Sequence, residues 1–264
     1  MSTSKFAVLG SPIAHSKSPL LHSAAYQFLG LEGSYDRIEV KKGKLQEFLQ
    51  NEGTEFDGFS ITAPLKAEAY ELSSEHDVIS SRISTANTII PHGEKWFACN
   101  TDVLGFMEIL KRNFTSSLEH PLILGSGSTA KSALYALTQF GVNSIQLMAR
   151  NASAVEEIVN LFPDVEIIFL PWATSVANAS LVISAVAEVR SISFDKRVSN
   201  FVDVSYDESS LMLALITANS YTYLNGLHLL VYQAAHQVLQ MRNIDAAHYE
   251  NIVEAMFSAL ELPN

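Results

Sequence analysis

A glycine-rich turn, Gly125-Ser126-Gly127-Ser128-Thr129-Ala130, has the residue types and spacing of a pyrophosphate cradle. It follows a short apolar run at 121–124 and precedes a helix-like stretch. In a strand–turn–helix unit of this kind, glycines let the backbone approach a ligand closely, and the helix N-terminus favours negative charge. The turn therefore predicts a dinucleotide site, with an ordinary strand-to-helix turn as the simpler alternative.

The next apolar run ends at an arginine rather than at an acid. Arg150 is flanked by Ala149 and Asn151. An Asp or Glu about 20 residues after the turn would bind the ribose 2′-hydroxyl of NAD. A guanidinium at this position can instead pair with a 2′-phosphate. We therefore expect NADP as the cofactor, and the alternative for Arg150 is a solvated surface arginine.

A second set of chemically capable residues lies in the first part of the chain. Thr62 ends a predicted strand, and Lys66 follows on the first turn of a helix that Pro64 is expected to open. Asn87 and Asp102 adjoin two further predicted strands. Because ligands in open α/β sheets collect beyond the strand ends, these side chains can meet in one cleft. A Lys–Asp pair there suits proton transfer that accompanies hydride transfer, whereas a helix N-cap or an acid in the first turn of a helix is the alternative for Asp102.

The segment Ser11–Pro19 is dense in hydroxyls at a predicted strand-to-helix turn. Such hydroxyls can hold a carboxylated or polyhydroxylated ligand. Ser18 and Pro19 also have the types preferred at the N-cap and the first helical position, so capping is the simpler role for Ser18.

Composition restricts the class of protein. The 264 residues are 48% hydrophobic and 17% charged, which is typical of a folded chain of one large or two ordinary domains. The net charge of −11 argues against nucleic acid and anionic membranes as partners. The one cysteine, Cys99, excludes an internal disulfide, and no signal-like N-terminus or long apolar stretch is present, so we expect a cytoplasmic protein. The eight histidines show no paired spacing with acids, and we predict no metal.

Short apolar runs alternate with helical patterns along the whole chain, which predicts an α/β fold in two domains. Strands are expected at 5–10, 35–40, 58–62, 88–90, 96–99, 121–124, 144–149, 165–170, 181–184 and 201–204, and helices at 18–29, 45–51, 102–111, 128–140 and twice after 226. An α/β substrate and catalytic domain is expected at 1–103, completed by C-terminal helices at 228–264. A doubly wound, Rossmann-like NADP-binding domain is expected at 104–227.

Five segments, in order between residues 11 and 235, resemble motifs of the shikimate dehydrogenase family, specifically of its actinobacterial type. Ser11–Pro19 resembles S/N-P-I-x-H-S-x-S-P, Ser60–Lys66 resembles N/S-V-T-x-P-x-K, and Ala86-Asn87-Thr88 resembles A-N-T/V; Asn100–Gly105 matches N-T-D-x-x-G, and Gly226–Ala234 resembles G-L-x-M-L-x-x-Q-A. The resemblance implies a reversible, NADP-dependent reduction of 3-dehydroshikimate to shikimate, in the route to chorismate and the aromatic amino acids.

The resemblance also implies roles for individual residues. Lys66 and Asp102 would form the catalytic pair, with Lys66 exchanging the proton at the reacting oxygen. The substrate would be held by Ser16 and Ser18 at its carboxylate and by Thr62, Asn87, Asp102 and Gln233 at its ring hydroxyls, with Ser60, Lys66 and Tyr206 completing the set. The cofactor would be held by Gly125, Ser126, Gly127, Ser128, Thr129, Ala130, Ala149, Arg150, Asn151 and Gly226.

Two departures from the family pattern stand out. Ser60 replaces a more usual asparagine, which is expected to shorten one substrate hydrogen bond or route it through water. The region 203–210, which contains Tyr206, lacks a proline of the family motif and is shorter.

Two other functions stay open. One is a quinate/shikimate dehydrogenase paralogue, and the other is a non-catalytic regulator that binds NADP or a metabolite. The presence of both Lys66 and Asp102 counts against the regulator, because a binding protein needs no proton-transfer pair. A small-molecule substrate is the expected partner, and monomer and homodimer are both compatible with the sequence.

Overall fold

The computed structural model describes residues 4–114, 118–172, 175–186, 189, 192–195, 198–206 and 222–262. The backbone divides into two compact units. The first consists of Met1–Gly105 and Leu230–Asn264, and the second of Phe106–Leu229. Both units combine sheets and helices, so the predicted α/β class is confirmed.

The first unit contains a six-stranded mixed sheet of order β2-β1-β3-β5-β6-β4. Its elements are β1 (Ser4–Gly10), α1 (Ser18–Leu29), β2 (Gly33–Glu39), α2 (Leu45–Gln50), β3 (Gly58–Ile61), α3 (Lys66–Leu72), β4 (Glu75–His76), α4 (Val78–Ile83), β5 (Thr88–His92), β6 (Lys95–Cys99) and the start of α5 (Thr101–Asn113). Two 3₁₀ turns, Glu52–Glu55 and Ala246–His248, and two later helices, α8 (Gly226–Arg242) and α9 (Tyr249–Ala259), complete the set. Buried side chains such as Leu9, Phe59, Ile61, Leu65 and Ile89 form one core beside the sheet.

The direction of β5 decides which residues meet at one edge of this sheet. β3 lies parallel to β1, whereas β5 runs antiparallel to both β3 and β6. The carboxyl ends of β1, β3 and β6 therefore lie at the same edge as the amino end of β5. Two backbone hydrogen bonds connect the chain segments at this edge, from Ser11 N to Ala63 O (3.1 Å) and from Ile61 N to Asn87 O (2.7 Å).

The second unit contains a parallel sheet of order β14-β13-β11-β7-β8-β9. Its elements are the rest of α5, β7 (Leu122–Leu124), α6 (Ser128–Gln139), β8 (Ser144–Ala149), α7 (Ala152–Leu161), β9 (Glu166–Pro171), β10 (Ser175–Val176), β11 (Val182–Ser184), β12 (Ser193–Phe194), β13 (Asn200–Asp203), β14 (Thr222–Leu224) and the start of α8. Numbered within this sheet, the strands have the order 3-2-1-4-5-6 of a dinucleotide-binding fold. The doubly wound arrangement predicted for this part is confirmed.

The predicted elements are present, with some boundaries wrong. α1 begins at Ser18, but Lys17 occupies the N-cap position and no side chain caps the helix, so the capping role for Ser18 is wrong. α3 begins at Lys66 rather than at Pro64, because Pro64 belongs to the turn that leaves β3. The hairpin strands β5 and β6 are longer than predicted and pair as far as His92 and Lys95. The sequence reading missed α4, whose N-cap Asp77 accepts a hydrogen bond from Ser80 N.

Within the described part of the chain, no helix has both the length and the apolar character needed to cross a bilayer.

Candidate functional site

Lys66 and Asp102 form a buried ion pair at the strand edge of the first unit. Lys66 Nζ donates to Asp102 Oδ2 at 2.5 Å, and the two side chains are only 11% and 7% exposed. Lys66 is the first residue of α3, and Asp102 lies in the first turn of α5, each just beyond the end of a strand. Asp102 does not cap α5, because Asn100 Oδ1 accepts from Val103 N instead. The predicted pair is thus assembled by two helices that follow β3 and β6, whose carboxyl ends lie at the same edge of the sheet.

Asn87 holds the other oxygen of this carboxylate. Its Nδ2 donates to Asp102 Oδ1 at 2.9 Å, and it lies 2.9 Å from Thr101 Oγ1 and 3.1 Å from Gln233 Oε1. Its Oδ1 accepts from Thr101 N at 2.8 Å. The side chain is 2% exposed, so its carboxamide has a fixed orientation. Four of the predicted residues, Lys66, Asn87, Asp102 and Gln233, therefore share one hydrogen-bonded cluster.

Sequence analysis missed Gln237, which supports this cluster from one helical turn beyond Gln233. Gln237 Nε2 donates to Asn87 O at 2.9 Å and to Thr88 Oγ1 at 3.0 Å, and the side chain is 1% exposed. A glutamine four residues after Gln233 lies on the same helix face, and this spacing was the available signal. Gln237 fixes the backbone from which the Asn87 side chain projects.

Ser60 also supports the cluster; we call Gln237, Ser60, Tyr35 and His22 the supporting layer. Its hydroxyl donates to Gln237 Oε1 at 2.8 Å and accepts from the Tyr35 hydroxyl at 2.5 Å. Ser60 is 3% exposed, so two protein groups already occupy the hydroxyl for which a direct or water-mediated substrate contact was expected. The Tyr35 ring in turn stacks on His22, with 3.8 Å between ring centroids.

Burial determines the protonation states of His22 and Tyr35, which lie in the supporting layer. The imidazole of His22 is fully buried, and this burial lowers its pKa to about 3. Burial also raises the pKa of the Tyr35 hydroxyl well above its usual value. His22 and Tyr35 are therefore both neutral at physiological pH. The supporting layer carries no net charge of its own, and the charged groups of the cluster are Lys66 and Asp102.

The hydroxyl-rich segment leaves β1 at the same sheet edge. Ser16 Oγ donates to Ser18 Oγ at 3.3 Å and also accepts from Ser18 N at 3.3 Å. Both residues are buried. The methyl group of Thr62 packs against Gly10, where an added Cβ would lie 2.4 Å from Thr62 Cγ2. The shared edge brings these three hydroxyl residues to the end of the sheet that carries Lys66 and Asp102.

The glycine-rich turn of the second unit has the backbone that a dinucleotide requires. Gly125 has φ of 111°, and a Cβ there would lie 2.9 Å from Val186 Cγ1, so a side chain is excluded on both grounds. At Gly127, a Cβ would meet no atom within 4 Å, so the space beside this backbone is open. Gly127 is the N-cap of α6 and no side chain caps that helix, which leaves the turn suited to an anionic group.

A cavity of about 240 Å³ adjoins this turn. Five of the predicted cofactor residues line it, together with three that sequence analysis missed: Gly125, Ser126, Gly127, Arg150 and Asn151, with Trp172, Ala185 and Val186. Arg150 Cζ lies 5.4 Å from the centroid of the Trp172 ring. Asn151 also caps α7 by accepting from Ser153 N and Ala154 N. The cavity carries the glycine backbone and the guanidinium that an NADP site needs.

The remaining predicted residues lie in nearby elements of the second unit. Ser128, Thr129 and Ala130 form the first turn of α6, and Ala149 is the buried last residue of β8. Gly226 is required by packing, because a Cβ there would lie 2.2 Å from Val204 O. Tyr206 is partly buried, and the residues that follow it in its predicted motif, 207–210, lie outside the described residues.

Known proteins are similar to this chain in both sequence and fold. The sequence profile described as "Shikimate dehydrogenase substrate binding domain" matches residues 8–89. The crystal structure of Mycobacterium tuberculosis shikimate dehydrogenase is 30% identical, with a TM-score of 0.81, and the match covers 98% of this chain and 99% of that one. Shikimate 5-dehydrogenase from Thermus thermophilus, in complex with NADP(H) and shikimate, is 26% identical with a TM-score of 0.82, over 97% of this chain and 99% of that one.

Curated sequences match over a shorter stretch. A protein of Prochlorococcus marinus (strain MIT 9215) named "Shikimate dehydrogenase (NADP(+))" is 36% identical over 162 residues, which is 61% of this chain and 56% of that protein. The chain thus spans about half the length of the curated relatives it matches.

Proposed function

Because the chain belongs to the shikimate dehydrogenase family, we propose that it catalyses the reversible, NADP-dependent reduction of 3-dehydroshikimate to shikimate. The observation that carries this proposal is the buried Lys66–Asp102 pair, locked by Asn87 in the unit that matches the family's substrate-binding domain. We assign the first unit to the substrate and the second to the cofactor.

Lys66 serves as the proton donor in the direction of reduction. An ammonium has three N–H donors, so Lys66 can donate to Asp102 and to a substrate oxygen at the same time. As negative charge develops on the carbonyl oxygen, Lys66 gives it a proton, and the alcohol forms. In the oxidation direction, the neutral amine takes this proton back.

Asp102 orients the ammonium and stabilises its charge while Asn87 keeps the carboxylate in place. Both contacts lie in a nearly dry environment, where a charge-assisted hydrogen bond is stronger than in water. Asp102, Asn87, Thr62 and Gln233 are also suited to hydrogen-bond the ring hydroxyls, and Ser16 and Ser18 the carboxylate. We place Ser60 behind these groups, as a support.

NADP, when bound, supplies the hydride acceptor and donor. The residues present fit this group: the open space beside Gly127, the uncapped start of α6 and the guanidinium of Arg150 suit a pyrophosphate and a 2′-phosphate.

The decisive experiment follows NADPH absorbance with shikimate and NADP⁺. We expect turnover with wild-type protein and a loss of about a hundredfold or more in Lys66→Ala, the size typical of removing a positioned acid–base group. Lys44→Ala is a matched control, because Lys44 is an exposed lysine of the same unit whose ion pair with Glu47 is solvated. Preferential turnover of quinate would indicate the paralogue, and tight binding of both ligands without turnover would indicate the regulator.

Cofactor choice is tested in the same assay. We expect at least a tenfold preference for NADP⁺ over NAD⁺ in catalytic efficiency, or about 1.4 kcal/mol. Arg150→Ala should erode this preference by weakening NADP⁺ binding, since NAD⁺ has no 2′-phosphate. Equal losses for both cofactors would give Arg150 a structural role, and a wild-type preference for NAD⁺ would overturn the cofactor assignment.

A further inference from the structure

Arg150 and Trp172 leave the parallel sheet of the second unit side by side. β8 and β9 are adjacent, and their last paired residues are Ala149 and Pro171. Arg150 and Trp172 each follow immediately. Neighbouring strands are about 4.8 Å apart, so this register brings the two side chains to the carboxyl edge at the same height. The backbone therefore places the two side chains within reach of each other.

The tryptophan is the fixed member of this pair. Trp172 is partly buried and packs against the apolar cluster of the second unit, which includes Leu122, Met148 and Val182. Arg150 is exposed, with its Cζ 5.4 Å from the indole centroid. A guanidinium over an aromatic face at this distance is attracted by the ring quadrupole. The rigid indole thus restricts the long and otherwise mobile arginine side chain.

The contact with the ring restricts the arginine without using the groups that bind phosphate. An indole is a hydrogen-bond donor only, so it accepts no hydrogen bond from the five N–H donors of the guanidinium. The N–H edge therefore stays available to an anion in the cavity that both residues line with Gly125 and Gly127. An arginine oriented before binding loses less rotational freedom when it pairs with a phosphate.

We propose that Trp172 is a positioning residue for recognition of the 2′-phosphate of the cofactor, acting through Arg150. This inference rests on the proposed function, because it presumes an NADP site. Trp172 has no part in the chemical step, and its effect is confined to ligands that carry the 2′-phosphate. A merely structural tryptophan would affect all adenine nucleotides alike.

The test is calorimetric titration with two fragments, adenosine 2′,5′-bisphosphate and adenosine 5′-monophosphate, which differ in the 2′-phosphate. In Trp172→Leu we expect binding of the bisphosphate to weaken about two- to fivefold, the size of an exposed cation–π contact, and binding of the monophosphate to stay unchanged. Trp172→Phe keeps an aromatic face and should retain most of the affinity. Trp96→Phe, which changes the only other tryptophan, should leave both affinities at the wild-type value.

The outcomes separate the two proposals. If the wild-type protein prefers the bisphosphate and Trp172→Leu keeps the full preference, or loses affinity equally for both fragments, the role of Trp172 is overturned and the cofactor assignment stands. If the wild-type protein shows no preference between the fragments, the cofactor assignment fails and the role of Trp172 fails with it. A thermal melt of each variant checks that the second unit is folded.

Discussion

The buried ion pair of Lys66 and Asp102 predicts strong energetic coupling between these two residues. Each side chain is about one-tenth exposed or less, and each is the other's charged partner at 2.5 Å. Removing one partner leaves the other charge buried without its oppositely charged partner, which typically costs about 3–5 kcal/mol of folding free energy. Replacing both charges with apolar groups of similar size removes this penalty, because neither charge is left alone.

The experiment is a double-mutant cycle with Lys66→Met, Asp102→Leu and the double variant. We expect each single variant to lower the free energy of unfolding by about 3–5 kcal/mol, and the double variant to lose at least about 2 kcal/mol less than the sum of the two. Asp102→Leu also removes one of the acceptors of Asn87 Nδ2, so it should be the more costly single change.

Urea unfolding followed by tryptophan fluorescence measures these energies. In a Trp172→Phe background the signal comes from Trp96, which packs near Phe59 in the first unit, so the transition of that unit is followed separately. The exposed pair Lys44–Glu47 provides a control cycle with little coupling. If the losses in free energy of unfolding at Lys66 and Asp102 add up in the double variant, as expected for the control pair, the claim that burial couples the two residues is refuted.

Three further groups of variants test the surroundings of this pair. Ser16→Ala and Ser18→Ala should each raise the KM for shikimate about ten- to a hundredfold with little change in kcat or Tm, since a hydrogen bond to a carboxylate is worth roughly 1.5–3 kcal/mol; a lower Tm with unchanged KM would give these serines a structural role instead. Gln237→Leu should raise KM severalfold and Gln237→Glu should not rescue it, because a carboxylate cannot donate to the Asn87 carbonyl; rescue by Glu would contradict this role. His22→Phe should flatten the fall in stability with acid: the folded pKa of His22, about 3, lies below the unfolded value of 6.5, so its contribution is present above pH 6.5 and is lost towards pH 3 by about 1.4 kcal/mol per pH unit. Identical stability–pH curves for wild type and variant would show that His22 is not responsible.

Local patterns account for most of the fold, because each parallel strand and its helix are short segments with their own periodicity. Residues close to one another in sequence were enough to predict the strands at 144–149 and 201–204 and the helix that follows the glycine-rich turn. By contrast, α4 is six residues long and its periodicity is too brief to be distinguished from a loop.

The supporting residues of the candidate site escaped prediction because their partners are distant in sequence. Ser60 bonds to Gln237 across 177 residues, and Tyr35 is brought to Ser60 by the strand order of the sheet. Trp172 likewise meets Arg150 only because β8 and β9 are neighbours. Contacts of this kind depend on topology, which no short window of sequence contains, whereas Lys66, Asn87 and Asp102 lie in motifs that can be read locally.

The discontinuity of the first unit has a consequence for the order in which the protein is built on the ribosome. Residues 106–229 are contiguous, so the second unit can fold as soon as it has been synthesised. The first unit lacks α8 and α9 until residues 230–264 emerge, although its sheet is made first. During this interval the carbonyl of Asn87 lacks its hydrogen bond from Gln237, which lies 150 residues further along the chain. The pair of Lys66 and Asp102 thus acquires its full surroundings only after residues 230–264 have been synthesised, which is later than the second unit.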